Sequence, residues 1–454
     1  MAPNTTRRVA GFVADLEYDQ IPPDVVAIVK RQVLDVIGVA LAGMRAEIGR
    51  IVTRYAEIQA SRPEATVWGS AVRVSAADAA WANGVAAHAL DFDDIWLPGT
   101  HPSAVVVPAG LAVAESLNAS GRDLVTALLA GYEVMGRLSA ASSGRAGWHP
   151  TGIFGALGAT ATAAKLYGLD TDHTAVALGI ASSHASGIDA HEGTMSKPLH
   201  AGLGARGGVV AALLAREGFT ASPDVLDGHR GFFPTFYRGM PYDAWRVTQG
   251  LGRPPFYLTS PGIGVKPYPA GYLMHHAFEA ALALATDHDL TADDVAEVEI
   301  TFPPASRFNR PVVTSGLEGK FSLQYVVAMA LLDRALTIES FADDKARSAP
   351  VQRLLGLTRA RVDEKLTPNH DIWHSPVRIR AVDGRELFAE QAMPRSHWAN
   401  EVPHGDVRDK FRSNAGYALD GARAEEVRDV VGRLETLDKV GTLGELLSVG
   451  REEG

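Results

Sequence analysis

The chain has 454 residues, 46% hydrophobic and 21% charged, with 43 Lys and Arg against 53 Asp and Glu and no cysteine. That length can bury a large core divided over two domains, while a net charge of −10 speaks against nonspecific nucleic-acid binding and offers no basic stripe to a membrane. Without cysteine there are no disulfides, no thiolate nucleophiles and no Cys-ligated zinc or iron–sulfur centres. The N-terminal residues Met1 to Arg8 lead into no long apolar run, so no signal peptide is expected. The apolar stretches are broken by Gly, Ser and charges before they reach a membrane span. A soluble, cytoplasmic protein is the expectation.

Pro22-Pro23-Asp24 opens the first strong helix, in which Val26, Val29, Val33, Ile37 and Ala40 recur at spacings of three and four and Gly43 marks the end. Arg50 to Ala60 predicts a weaker helix. Ser75 to Leu90 is rich in alanine and predicts a buried helix with Ser75 as its N-cap. Ser103 to Leu117 predicts the next. Ser120-Gly-Arg-Asp123 has the form of a capping box for a helix whose inner face carries Leu124, Leu128, Gly131, Met135 and Leu138. Ile153 to Tyr167, His173 to His184 and His200 to Glu217 follow as Ala- and Gly-rich helices, and no convincing strand pair precedes residue 250.

The texture then changes. Gly252-Arg-Pro-Pro255 reads as a break. Ala296, Val298, Ile300 and Phe302 alternate with polar residues as a strand, and Val377, Ile379 and Ala381 run into the Asp383-Gly384 hairpin signal. Helices are expected over His275 to Ala285 and Phe321 to Arg334. The fold class is therefore mainly α: a large all-helical domain from residues 1–251 and the helical tail 399–454, with a smaller α+β lid over 252–398.

Polar residues collect between the apolar segments Ala76 to Ala87 and Ala104 to Ala114, in His88-Ala-Leu-Asp91-Phe-Asp93-Asp94 and Thr100-His101-Pro-Ser103. Hard cations want several oxygen ligands, so the three aspartates invite a metal reading. No second carboxylate cluster follows at a telling spacing, and Asp93 and Asp94 read better as loop braces. His101 and His149 each stand before a proline at a helix entrance, where imidazoles can transfer protons and anions are favoured. Lys197 and Lys266 also precede prolines at breaks in structure and suit a carboxylate clamp. Tyr325 offers a hydroxyl proton, against the ordinary expectation of an aromatic core residue. Gly202-Leu-Gly204-Ala-Arg-Gly207 has dinucleotide-fingerprint spacing but no strand before it, so it is discounted, and no Walker-type phosphate loop is present.

These segments, with His149-Pro-Thr-Gly152, Ser196-Lys197-Pro-Leu-His-Ala-Gly202, Lys266-Pro-Tyr-Pro269 and Phe321-Ser-Leu-Gln-Tyr325, together resemble the MmgE/PrpD family. That family includes 2-methylcitrate dehydratases, cis-aconitate decarboxylases and iminodisuccinate epimerase. The resemblance implies a helical domain with an α+β lid, a homodimer, and no metal or organic cofactor. It also implies a site between the domains built from Asp91, His101, His149, Lys197, Lys266 and Tyr325. The expected function is a cofactor-independent lyase acting on a small di- or tricarboxylate. Lys197, Lys266 and His101 would hold the carboxylates, His149 or Tyr325 would move the proton, and Asp91 would orient His101. An epimerase of a dicarboxylate and a catalytically inactive binding homologue are the alternatives. Three positions depart from the family pattern: Gly271 replaces a histidine of the decarboxylase branch, Tyr272 stands where many members carry Arg and is expected at the substrate, and Ile95 replaces a common Thr.

Overall fold

The computed structural model describes residues 4–96, 99–142, 144, 146–304, 306–366, 375–402 and 404–450. The helices appear where periodicity and caps placed them. Pro23–Arg45 begins with proline in its first turn. Ala76–His88 is capped by the Ser75 side chain, which accepts from the Asp78 N–H, and Gly121–Ala140 carries the Ser120/Asp123 capping box. Pro150–Leu166 starts directly after His149. The helix expected from His200 begins earlier, at Ser196, and runs to Arg216. Lys197 therefore lies in a helical first turn, not in a loop, and Pro198 is tolerated there because first-turn N–H groups have no intrahelical partner.

Small residues let these helices approach closely. A Cβ added at Gly202 would stand 2.5 Å from the Trp81 carbonyl, and one at Gly84 would stand 3.1 Å from the Gly202 Cα. The glycine spacing in 202–207 is thus a packing device between helices Ala76–His88 and Ser196–Arg216. The latter is, by length and composition, apolar enough to cross a membrane, which amends the expectation that none is. Its most apolar window is 67% buried within the protein, as suits a core helix.

Buried apolar side chains form two main clusters. One takes in Val9 to Val265 and resumes with Val407, Phe411, Val427 and Leu443 of the tail. The other runs from Tyr268 to Trp398 and includes Ile95 from the helical part. A short antiparallel pair, β1 (Ala65–Thr66) and β2 (Arg73–Val74), lies within the region expected to be wholly helical. The second cluster is built on a four-stranded sheet of order β4-β3-β5-β6, comprising β3 (Val295–Phe302), β4 (Thr358–Val362), β5 (Val377–Ala381) and β6 (Glu386–Ala389). Pairing is parallel between β3 and β4 and antiparallel elsewhere. In β5, Val377, Ile379 and Ala381 are buried while Arg378 and Arg380 are exposed, the alternation of a sheet covered on one face. Along β3 the pairing shifts between Val295 and Glu297, so Val295, not Ala296, joins the buried set. Helices Tyr272–Asp287 and Leu323–Asp333 contribute to the same core.

Candidate active site

The segment between helices Ala76–His88 and Ser103–Leu117 must turn with its carbonyls buried. Asp91 makes the turn in the left-handed region at φ 51°, which aspartate tolerates better than most residues. The carbonyls that follow the helix end point at cationic or imidazole donors from distant parts of the chain. Lys320 Nζ donates to Leu90 O at 3.0 Å, Lys266 Nζ to Asp91 O at 3.0 Å, and Lys410 Nζ to Phe92 O at 2.7 Å. The His101 Nδ1 pairs with Asp94 O at 2.7 Å. Cations suit the carbonyl-rich end of a helix, and without such donors these buried carbonyls would be costly. Lys320 and Lys410 lie outside the motifs singled out from sequence. Lys320, just ahead of Phe321, also bonds Pro269 O at 2.7 Å, so it ties the Asp91 turn to the Lys266–Pro269 segment. Burial, reinforced by Lys266 and Lys197 against the opposing pull of Asp91, lowers its ammonium to about 7.

The Asp91 carboxylate is the centre of the arrangement. Its Oδ1 accepts from Lys266 Nζ at 2.8 Å and from Lys197 Nζ at 3.1 Å. Its Oδ2 is buried with no hydrogen-bond partner among the described residues. Burial alone would raise its pKa, but Lys197 and Lys266, joined by His101 and His88, outweigh burial and hold it well below the usual carboxylate range. His101 Nε2 lies 3.9 Å from the same Oδ1. Asp91 therefore makes no hydrogen bond to His101, contrary to the expectation from sequence that it orients the imidazole. That task falls to the Asp94 carbonyl, which fixes the proton on Nδ1 and leaves the Nε2 lone pair free for chemistry. Burial, then Lys266 and Lys197, push the His101 pKa well below 6.5, so the imidazole is neutral at pH 7.

Asp93 and Asp94 brace the loop. Asp93 accepts from His88 Nδ1 at 2.9 Å and is held low by His88 and His101 despite burial. Asp94 accepts from Gln32 Nε2 at 3.0 Å and from the Ser103 N–H and hydroxyl. Burial and the neighbouring Asp93 charge push Asp94 up to about 7. Donor atoms of His88, Asp91, Asp93 and His101 lie within 4.8 Å of one another, the spacing of a metal cluster. However, Asp91 is already bridged by two ammonium groups and Asp93 by His88 Nδ1. A divalent ion would sit against like charge, so the donor set is better matched to an anionic ligand.

The remaining sequence candidates divide. Tyr272 begins helix Tyr272–Asp287 and lines a cavity with Asp91, His101, Lys197, Glu192 and Phe321. Ile95 and Gly271 line it too. A Cβ on Gly271 would stand 3.3 Å from the Phe321 ring, so the histidine of the family pattern would crowd Phe321 here. His149 is buried behind the cavity wall, stacked on His88 at 5.4 Å and paired through Nδ1 with His200 Nδ1 at 3.1 Å. Tyr325 is not brought to the site. Its ring stacks on Phe341 in the lid core and its hydroxyl donates to Ser340 O at 2.5 Å. Burial raises its pKa, which makes it a committed structural donor and removes it as the expected proton source.

The cavity is about 30 Å³, room for little more than a water. As it stands it is smaller than a di- or tricarboxylate. A larger cleft of about 800 Å³ opens on the other side of the Asp91 turn, lined by Phe92, Lys266, Lys410, Arg395, Glu339 and Tyr417. No imidazole is among its lining residues, whereas Lys197, Asp91 and His101 line the small cavity together and Lys266 reaches Asp91 from the cleft. The small cavity is therefore the candidate site.

Residues 7–244 match the MmgE/PrpD N-terminal domain and residues 268–436 the MmgE/PrpD C-terminal domain. The chain is 32% identical to the cis-aconitate decarboxylase of Mus musculus, over 98% of this chain and 94% of that protein. It is 31% identical to the enzyme of that name from Homo sapiens, with 98% and 95% covered. It is 28% identical to that from Aspergillus terreus, with 98% and 96% covered.

Proposed function

Because the chain belongs to the MmgE/PrpD family, we propose that it is a cofactor-independent lyase that decarboxylates a small tricarboxylate of the cis-aconitate type. The observation that carries this reading is Asp91 held between Lys197 and Lys266 beside the neutral His101. The full-length likeness to relatives named cis-aconitate decarboxylase supports the substrate class.

Decarboxylation beside a carbon–carbon double bond releases an electron pair as carbon dioxide leaves. The pair moves through the double bond and is captured by a proton at carbon. The substrate carboxylates must be held, and the developing charge must meet fixed donors in a site without bulk water. Lys197 and Lys266 supply the fixed positive charge, and Asp91 keeps both ammonium groups aimed at one point. His101 is the acid–base group. An arriving polyanion raises its pKa, Nε2 gains a proton, and that proton is delivered to carbon while Nδ1 stays on Asp94 O. Lid closure excludes water and completes the arrangement. His149, backed by His200, lies behind His88 and supports this wall. The expected homodimer and the independence from metals belong to the same proposal.

The test is carbon dioxide release from cis-aconitate by the purified protein. Turnover that persists in excess EDTA is expected. Activity lost with EDTA and restored by a divalent ion would overturn the metal-free reading. Loss of water from citrate or 2-methylcitrate in place of carbon dioxide release would make the enzyme a dehydratase.

A further inference from the structure

Glu192 is an acid in a cavity read above as a binding site for polyanions. Its side chain is only 4% exposed, and it lines the cavity with Asp91, His101 and Lys197. A buried carboxylate facing an anionic substrate is unfavourable unless it is neutralised. Its partner comes from the lid: Arg307 Nε donates to Oε2 at 2.5 Å and Nη2 to Oε1 at 3.1 Å. This two-pronged contact is the geometry by which guanidinium recognises any carboxylate.

Glu192 lines the cavity, and Arg307, not itself a lining residue, stands next to the lining residue Phe308. Arg310 donates to the Glu192 carbonyl at 3.2 Å and to the Arg307 carbonyl at 3.2 Å, pinning the two segments together. The Arg307 guanidinium lies 4.7 Å from the ring of Phe308, and Phe308 lines the cavity. Lys197 and Arg310 stand 5.1 Å and 5.9 Å from the ring of Phe321. Lys197 and Lys266 are both engaged by Asp91. A ligand with more than two carboxylates therefore needs another cation, and it must displace something to make room.

We infer that Arg307 is a specificity residue that exchanges Glu192 for a carboxylate of the substrate, with Glu192 acting as the internal competitor that occupies the guanidinium until a polycarboxylate arrives. The inference rests on the tricarboxylate reading above. The exchange replaces one charge-assisted pair at the guanidinium by another, and the released Glu192 carboxylate must swing out to water. Withdrawal of the Glu192 side chain also opens a cavity now too small for any substrate. Ligands with fewer carboxylates gain less from the exchange, so Glu192 selects against them.

The test uses opposite signs. Arg307→Gln is expected to weaken binding of propane-1,2,3-tricarboxylate, an unreactive probe, by on the order of tenfold to a hundredfold in titration calorimetry. Glu192→Gln removes the competitor and is expected to tighten the same binding severalfold, with smaller changes for succinate in both variants. Arg307→Lys, which keeps the charge and loses the fork, is expected to recover part of the Arg307→Gln loss and serves if that variant folds poorly. A purely structural latch predicts that both substitutions weaken binding. That result, unchanged affinities, or a wild-type protein that binds no tricarboxylate would each overturn the inference. Opposite-signed responses in a protein that releases no carbon dioxide would uphold it while the decarboxylase reading fails.

Discussion

Asp91→Asn is expected to lower the unfolding free energy at pH 7 by about 3–5 kcal/mol, the range for removing one partner of a buried ion pair, and to abolish most turnover. The substitution keeps size and tolerates the left-handed backbone at φ 51°, so it isolates charge. It leaves the Lys197 and Lys266 ammonium groups, 6% and 0% exposed, without their shared carboxylate. The pH dependence has a definite sign. Against the raising effect of burial, Lys197 and Lys266 depress the folded-state pKa of Asp91. A depressed acid contributes stability that is complete above its ordinary value near 4 and is lost as pH falls through the folded-state value. The gap between wild type and Asp91→Asn, read from denaturant midpoints, should persist from pH 7 down to pH 5 and close only in stronger acid. A gap that closes between pH 6 and 7, or no gap at all, would contradict the ion-pair account.

His101→Ala is expected to reduce kcat by on the order of a hundredfold to ten-thousandfold, the range for a lost acid–base group, with the fold retained. The imidazole is poised by three features: Nδ1 held on Asp94 O at 2.7 Å, Nε2 facing the cavity beside Asp91, and a pKa depressed by burial and then by Lys266 and Lys197. In the free enzyme His101 is thus neutral at pH 7, and because the reaction draws on its protonated form, the limb of kcat/KM that it sets is the one on which activity falls as pH rises above its depressed pKa. His149→Ala is expected to be the milder substitution, because His149 meets His200 and His88 and does not line the cavity. Equal losses for the two variants would reinstate His149 as a direct participant.

The helices were legible because their signals are local. Ser75, Ser120 with Asp123, and Pro23 act within a turn of where they stand, and apolar spacing does the rest. Strands were legible where alternation ran long enough, as in β3 and β5. The pair β1 and β2 is two residues per strand and leaves no periodicity. β4, Thr-Arg-Ala-Arg-Val, buries only its first residue and reads as charged loop. The site shows the same division. Asp91, His101, Lys197 and Lys266 were marked by residue type at structural breaks, and the fold brings them together. Lys320, Lys410 and the Glu192–Arg307 pair were not marked, because partners such as Leu90 O, Phe92 O and, for Arg307, the Glu192 carboxylate lie more than a hundred positions away. Tyr325 was marked by its motif, yet the motif could not show that a nearby carbonyl, Ser340 O, takes its hydroxyl. Local sequence names the chemistry available, and long-range packing decides which groups are free to perform it.

The central claim is that protonation at carbon accompanies loss of carbon dioxide at the Asp91–His101 cavity. The most direct measurement is proton NMR of the product formed from cis-aconitate in D₂O by wild type and by His101→Ala. The account predicts a decarboxylated product carrying one deuterium at carbon from the wild-type enzyme, and on the order of a hundredfold or more less of it from the variant. Deuterium exchange into unreacted substrate with no loss of carbon dioxide, or equal product from His101→Ala, would contradict it.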